Sequence, residues 1–208
     1  MKQTLVDFLK EKFISRVAER ERRRLLASPL AKAQLRRNQR RPGPEQGYIC
    51  GQGAGAVTDG YHYGLASMKL SGCEVIAVYN ALVALGEQPD IRELAFRFQK
   101  RSAVLGGLFG TELSALLGYF RTLGYEVREY RDARLYDEAL AESRVGIFSF
   151  WWARASLWLH TVTVRRDGAE VLAYNWSTEY PNGPARFASM EDMIEKTGVE
   201  PILFIAIR

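Results

Sequence analysis

The run from Val75 to Leu85, VIAVYNALVAL, carries no charge and stops at Gly86. A helix without a charged face is buried on most of its circumference, so the rest of the chain has to be built around this one. Ser71 and Glu74 have the spacing of a capping box, in which the Ser hydroxyl takes an N–H three residues on and the Glu reaches back. Cys73 then falls in the first turn. Unpaired N–H groups and the positive end of the helix dipole meet there, and both favour a thiolate over a thiol. Cys73 is therefore a candidate nucleophile, the plain alternative being a small core residue.

The length, 208 residues, suffices for one domain with a substantial core and an extension, and the composition is that of a globular protein. The charge is unevenly spread. Residues 1–46 hold 13 Lys and Arg against 5 Asp and Glu, whereas residues 47–208 hold 16 against 19. The basic character thus belongs to an N-terminal arm, and residues 47–208 read as the functional domain. Two cysteines, Cys50 and Cys73, form no disulfide framework, and no Cys-x-x-Cys or Cys/His cluster suggests a metal. Charges at Lys2, Asp7, Lys10, Glu11 and Lys12 interrupt any signal-peptide core, and nothing approaches a membrane-spanning run, so a cytoplasmic protein is expected.

In the arm, Leu5, Phe8, Leu9, Phe13, Val17, Leu25 and Leu26 keep near-helical spacing, Pro29 interrupts it, and the pattern ends before Pro42-Gly43-Pro44. Such a basic amphipathic helix or helix pair packs its stripe on the domain or on a second copy, making it a candidate homo-oligomer contact. A basic face toward nucleic acid or an anionic membrane and an inhibitory prosegment are the other readings, and no nucleic-acid partner is expected. The glycine-rich stretch Gly47 to Leu70 lacks the helix and acidic residue of a dinucleotide site. It reads as a loop whose Tyr61 and Tyr63 wall a substrate cleft, with His62 a rival base.

Beyond Gly86, Asp90 and Glu93 open a second helix and Thr111 caps a third that stops at Gly124. Residues 125–130 read as a short strand and 137–142 as a helical turn. Strands then follow at 145–152, 158–164, 170–174, 185–187 and 202–207, with a helix capped by Ser189 before the last. Helices first and antiparallel strands second is an α+β arrangement.

Asp167-Gly168 is a two-residue hairpin signal, and a turn on those residues sets His160 opposite Asn175, close enough for an amide to orient an imidazole. Alternation puts His160 on the face of Trp158, Val162 and Val164, the expected buried side. A thiol at a helix tip, an imidazole and an amide are the parts of a thiol/imidazole catalytic arrangement: attack, proton transfer and fixing of the ring tautomer.

Cys73 at the start of a long buried helix, followed by His160 and Asn175 on later strands, resembles the papain-like cysteine peptidases. Asn175-Trp176-Ser177 is similar to their asparagine with its neighbouring tryptophan, and His160-Thr161-Val162-Thr163-Val164 with the small size resembles the bacterial branch related to the double-glycine leader peptidases. The resemblance implies a helical lobe and an antiparallel β-sheet lobe with the site between them, and a Cys73–His160–Asn175 triad that works through a thioester without metal or cofactor. It also implies a peptide or amide substrate, with Trp176 shielding the histidine and touching substrate. Acyl transfer on the same triad and a non-catalytic binding module are the alternatives. The family's oxyanion glutamine precedes its cysteine, where this chain has Ser67, Met68 and Lys69; Gln52 lies too far upstream to match it, and Glu74 stands where small or neutral residues are usual.

Overall fold

The computed structural model describes residues 29–44, 47–152 and 159–208; the arm positions Leu5 to Leu26 and Trp158 lie outside the described residues. Helix α1, Pro29–Gln39, opens on the proline, whose missing N–H is harmless in a first turn. Its buried face carries Ala31, Gln34 and Asn38. Gln34 donates to the Gly64 carbonyl, and Asn38 acts as a strand neighbour to His62, donating to its carbonyl and accepting its N–H, both at 2.9 Å. Lys32, Arg36 and Arg37 point outward.

A small hairpin follows, β1 (His62–Tyr63) with β2 (Ala66–Ser67), then α2 (Met68–Ser71) and α3 (Cys73–Ala84). The uncharged run is the central helix, but it is not held by a capping box. Ser71 ends α2 and its hydroxyl reaches back to Ser67, while Gly72 takes the N-cap position without a side-chain bond. Glycine is needed there because a Cβ would lie 2.7 Å from the Met68 carbonyl and 2.8 Å from its thioether. Asn80, fully buried, exchanges two hydrogen bonds of 2.8 Å with the main chain of Ile49 and so ties the glycine-rich segment to α3.

Helix α4 spans Ile91–Ser102 and is capped by Asp90, which accepts the Arg92 N–H at 2.8 Å. Helix α5, Leu113–Thr122, starts from Glu112, because the Thr111 hydroxyl expected to cap it is bound to Tyr63 instead. Then come β3 (Val127–Tyr130), α6 (Tyr136–Ala141), β4 (Val145–Trp151), β5 (Leu159–Asp167), β6 (Glu170–Tyr174), β7 (Ala185–Phe187), α7 (Met190–Thr197) and β8 (Glu200–Ile207). The last six strands form one antiparallel sheet in the order β3-β8-β4-β5-β6-β7.

Both faces of this sheet are covered, which is why β4 is apolar at every position but Ser149, whose hydroxyl is bonded to that of Thr161. On one face Val145, Ile147, Leu203, Ile205 and Ile207 pack with α3, α4 and α5; on the other Phe148, Phe150, Val162 and Val164 pack with α6 and α7. Gly146 leaves room for the Phe204 ring, which a Cβ would meet at 2.4 Å. The fold is thus an α+β one, a helical lobe set against an antiparallel sheet.

The β5–β6 register departs from the expected one. Asp167 pairs with Glu170 and Thr163 with Tyr174, so Gly168 and Ala169 form the turn. A positive φ at Gly168 alone fits a turn with glycine in its first central position. The shift is two residues, so every side chain keeps its face, but His160 no longer has Asn175 as a register partner.

Candidate active site

Cys73 is the first residue of α3 and is 6% exposed. Helix α3 lies along β5, where Thr163 Oγ1 donates to the Ala77 carbonyl at 2.7 Å. That contact sets the tip of α3 beside the start of β5. There the Thr161 main chain and the Glu74 carboxyl lie beside the Cys73 sulfur, the first favouring its thiolate and the second opposing it. Burial first, and then the Glu74 charge, push the thiol well above its ordinary pKa. The expectation of a thiolate favoured by the helix dipole is thereby reversed: desolvation and an adjacent carboxylate outweigh the few aligned N–H groups.

Strand β6 parts from β5 after Tyr174 because Asn175 takes a left-handed φ of 61°, a conformation that Asn tolerates better than most residues. Its main-chain carbonyl turns to His160 and lies 2.7 Å from Nε2. A carbonyl oxygen only accepts, so Nε2 carries the ring proton and the lone pair of the neutral imidazole is on Nδ1, the nitrogen that can act as base. His160 and Asn175 are in contact, but the main chain, not the side-chain amide, holds the ring.

The Asn175 amide is engaged elsewhere. Its Nδ2 donates to Gln52 Oε1 and its Oδ1 accepts the Gln52 N–H, both at 3.0 Å. Gln52 Nε2 in turn donates to the carbonyls of Met68 at 2.9 Å and Lys69 at 3.2 Å, just before Cys73. Gln52 therefore joins the segment leading into the cysteine helix to the residue that holds the histidine. The loop around it fits only with glycine at 51, where φ is +69° and a Cβ would lie 2.6 Å from the Pro181 Cα. That polar residue set among left-handed glycines was the available signal. Cys50, on the same loop, accepts the Asn175 N–H, and burial raises its pKa.

An aromatic wall backs the imidazole. Phe150 meets it edge-on with centroids 5.7 Å apart, Trp176 lies 5.0 Å from Phe150, and Trp152 lies 5.4 Å from Trp176. Burial lowers the His160 pKa, against the pull of the Asn175 and Trp176 main chain. Trp176 is itself buried in the core on that face of the sheet.

Tyr61 and Tyr63 do not wall a cleft. They are 1% and 0% exposed, with hydroxyls bound to the Pro42 carbonyl and to Thr111, and they belong to the core of the helical lobe. Their apolar neighbours claim the rings once the 47–70 segment is folded against α3. His62 sits on β1 with its main chain clamped by Asn38. Among the described residues no three His, Cys, Asp or Glu side chains converge to hold a metal, and no helix is long and apolar enough to cross a membrane.

No family model matches the chain, and no curated protein matches it. Among solved structures, the peptidase domain of Streptococcus ComA, a bi-functional ABC transporter involved in a quorum-sensing pathway, is similar with a TM-score of 0.47 at 14% identity, over 65% of this chain and 89% of that one. The peptidase domain of Streptococcus mutans ComA gives a TM-score of 0.35 at 14% identity, over 48% of this chain and 75% of that one. Both are likenesses of fold.

Proposed function

We propose that this protein is a cysteine-dependent hydrolase of peptide or amide bonds, with Cys73 as nucleophile, His160 as base and acid, and Asn175 as the residue that orients the imidazole. One observation supports the reading: α3 lies along β5 through the 2.7 Å Thr163–Ala77 hydrogen bond, so that Cys73 opens α3 beside Thr161, the neighbour of His160, whose Nε2 lies 2.7 Å from the Asn175 carbonyl. In this reading Nδ1 receives the thiol proton and the sulfur attacks the substrate carbonyl carbon. The imidazolium then protonates the leaving amine, which departs and leaves a thioester. Water, deprotonated by the same nitrogen, attacks the thioester and releases the acid and the thiol. The Cys73 N–H, in the first turn of α3, is the oxyanion donor in this reading.

The reading is tested by alkylation with iodoacetamide near pH 6, with Cys50 and Cys73 resolved by peptide mass spectrometry. Cys73 is expected to react about tenfold or more faster in the parent than in His160→Ala, the effect of at least one unit of thiol pKa. Equal rates would remove the imidazole from the mechanism. Hydrolysis is followed with a pool of fluorogenic peptide amides, and the release is expected to vanish in Cys73→Ala.

A further inference from the structure

Among the described residues no cation is matched to the buried acid Glu74. It follows Cys73 on α3, is 1% exposed, and its Oε2 has no hydrogen-bond partner. Its own main-chain N–H, the Cys73 thiol and the Thr111 main chain lie beside the carboxyl and favour its ionised form, against the larger effect of burial. Gly110, at a φ of +71°, presses its bare Cα against it: a Cβ there would lie 2.5 Å from Oε1 and 2.7 Å from Oε2. Among the described residues the titratable groups facing this acid are Cys73 on its own helix and Tyr63 from β1, whose burial keeps it neutral and whose hydroxyl is bound to Thr111. The loop over it, residues 103–111, contains no titratable side chain, and from β5 the Thr161 main chain reaches the sulfur.

We propose that Glu74 is a positioning residue that governs the nucleophile: its carboxylate holds the Cys73 proton, and the thiolate–imidazolium pair with His160 forms only after the carboxyl is itself protonated. The proposal rests on the reading of Cys73 as nucleophile. Two negative charges on neighbouring side chains in an apolar enclosure repel too strongly to coexist, so one proton always stays with the pair. When Glu74 is ionised it accepts the thiol hydrogen bond and the sulfur stays neutral. When it is protonated it donates to the sulfur, and the thiol proton is free to move to His160 Nδ1. Burial raises the Glu74 carboxyl to about 7, so the handover falls near neutrality. Its direction is opposite to that of a simple cysteine: the nucleophile is available on the acid side and withdrawn on the alkaline side.

The test is the rate of Cys73 carbamidomethylation, resolved by peptide, from about pH 5 to about pH 9, an interval that spans the acid, imidazole and thiol ranges. In the parent the rate is expected to fall as pH rises through about 7 and to climb again only when the isolated thiol ionises. Glu74→Gln keeps an acceptor for Thr111 but cannot carry charge. It should abolish the fall and react about tenfold or more faster near pH 8, as the loss of at least one unit of thiol pKa requires. A Glu74→Gln profile superimposed on the parent's, or slower throughout, overturns the proposal. His160→Ala separates the two readings. If its labelling equals the parent's, the nucleophile assignment fails; if His160 matters and Glu74→Gln does not, the Glu74 assignment alone fails. Should Glu74→Gln not fold, the parent profile decides, and a rate that rises monotonically with pH overturns the proposal.

Discussion

Gln52 makes four hydrogen bonds inside the protein: its amide nitrogen holds the Met68 and Lys69 carbonyls, while its Oε1 and main-chain N–H hold the two ends of the Asn175 amide. Gln52→Ala leaves the buried Asn175 Nδ2 without an acceptor, which costs about 1–3 kcal/mol for a desolvated polar group. Urea unfolding should show that loss, and Cys73 labelling should slow with it as the carbonyl that holds His160 loosens. This residue was the hardest to read beforehand, because it meets Asn175 across 123 positions and no local pattern reports a contact made by two distant loops. Cys73, His160 and Asn175 were easier to single out, since each stands at a feature visible locally: a helix start, a strand, a strand end. The way Asn175 touches His160 was not legible, because it depends on a left-handed φ that turns the carbonyl to the ring. Nor was the state of Cys73, since the loop that buries Glu74 against it comes from residues 103–111.

At the scale of elements, local chemistry decided most outcomes. Helix α7 begins at Ser189, which accepts the Asp192 N–H at 2.9 Å, while Asp192 accepts the Ala188 N–H at 2.9 Å. Ser189→Ala should cost about 1 kcal/mol, as loss of an N-cap oxygen usually does, and calorimetry should register a lower Tm. The Ser189 cap, the Asp90 cap and the strands of the sheet were legible because their signals are short-range: a capping oxygen, a β-branched run, a glycine. At two elements a tertiary contact overrides such a signal. Thr111 gives its hydroxyl to Tyr63 rather than to α5, and Met68 packs so closely on the start of α3 that Gly72 displaces Ser71 from the cap position. The hairpin slipped by two because Asp-Gly and Gly-Ala turns both leave the same residues of β6 facing the core, so burial does not choose between them.

The whole molecule carries the Glu74 acid as a charge in its interior, and this sets a pH dependence for folding. The folded carboxyl is raised to about 7 against 4.5 for the free group. Below 4.5 the acid is protonated in both states and burial costs no charge. As pH rises, the unfolded chain releases its proton first, so stability falls through the interval and levels off above 7. At about 1.4 kcal/mol per unit, the loss is on the order of 3 kcal/mol. His160 acts in the opposite sense: its folded pKa lies below 6.5, so its contribution is present above that value and is lost as pH falls. The parent stability therefore mixes two opposed slopes, and the difference between Glu74→Gln and the parent isolates one. That difference should grow toward Glu74→Gln by about 3 kcal/mol from acid to alkaline pH, measured by urea unfolding near pH 4.5 and near pH 8. Any constant offset from burying an amide in place of an acid leaves this slope untouched. Parallel stability curves would mean that the carboxyl titrates normally in the folded protein, and the enclosure formed by Gly110, Thr111 and Cys73 would then not raise it. A slope of the expected sign would show that the fold is held below its attainable stability at neutral pH by one acid placed against its only helix-tip thiol among the described residues.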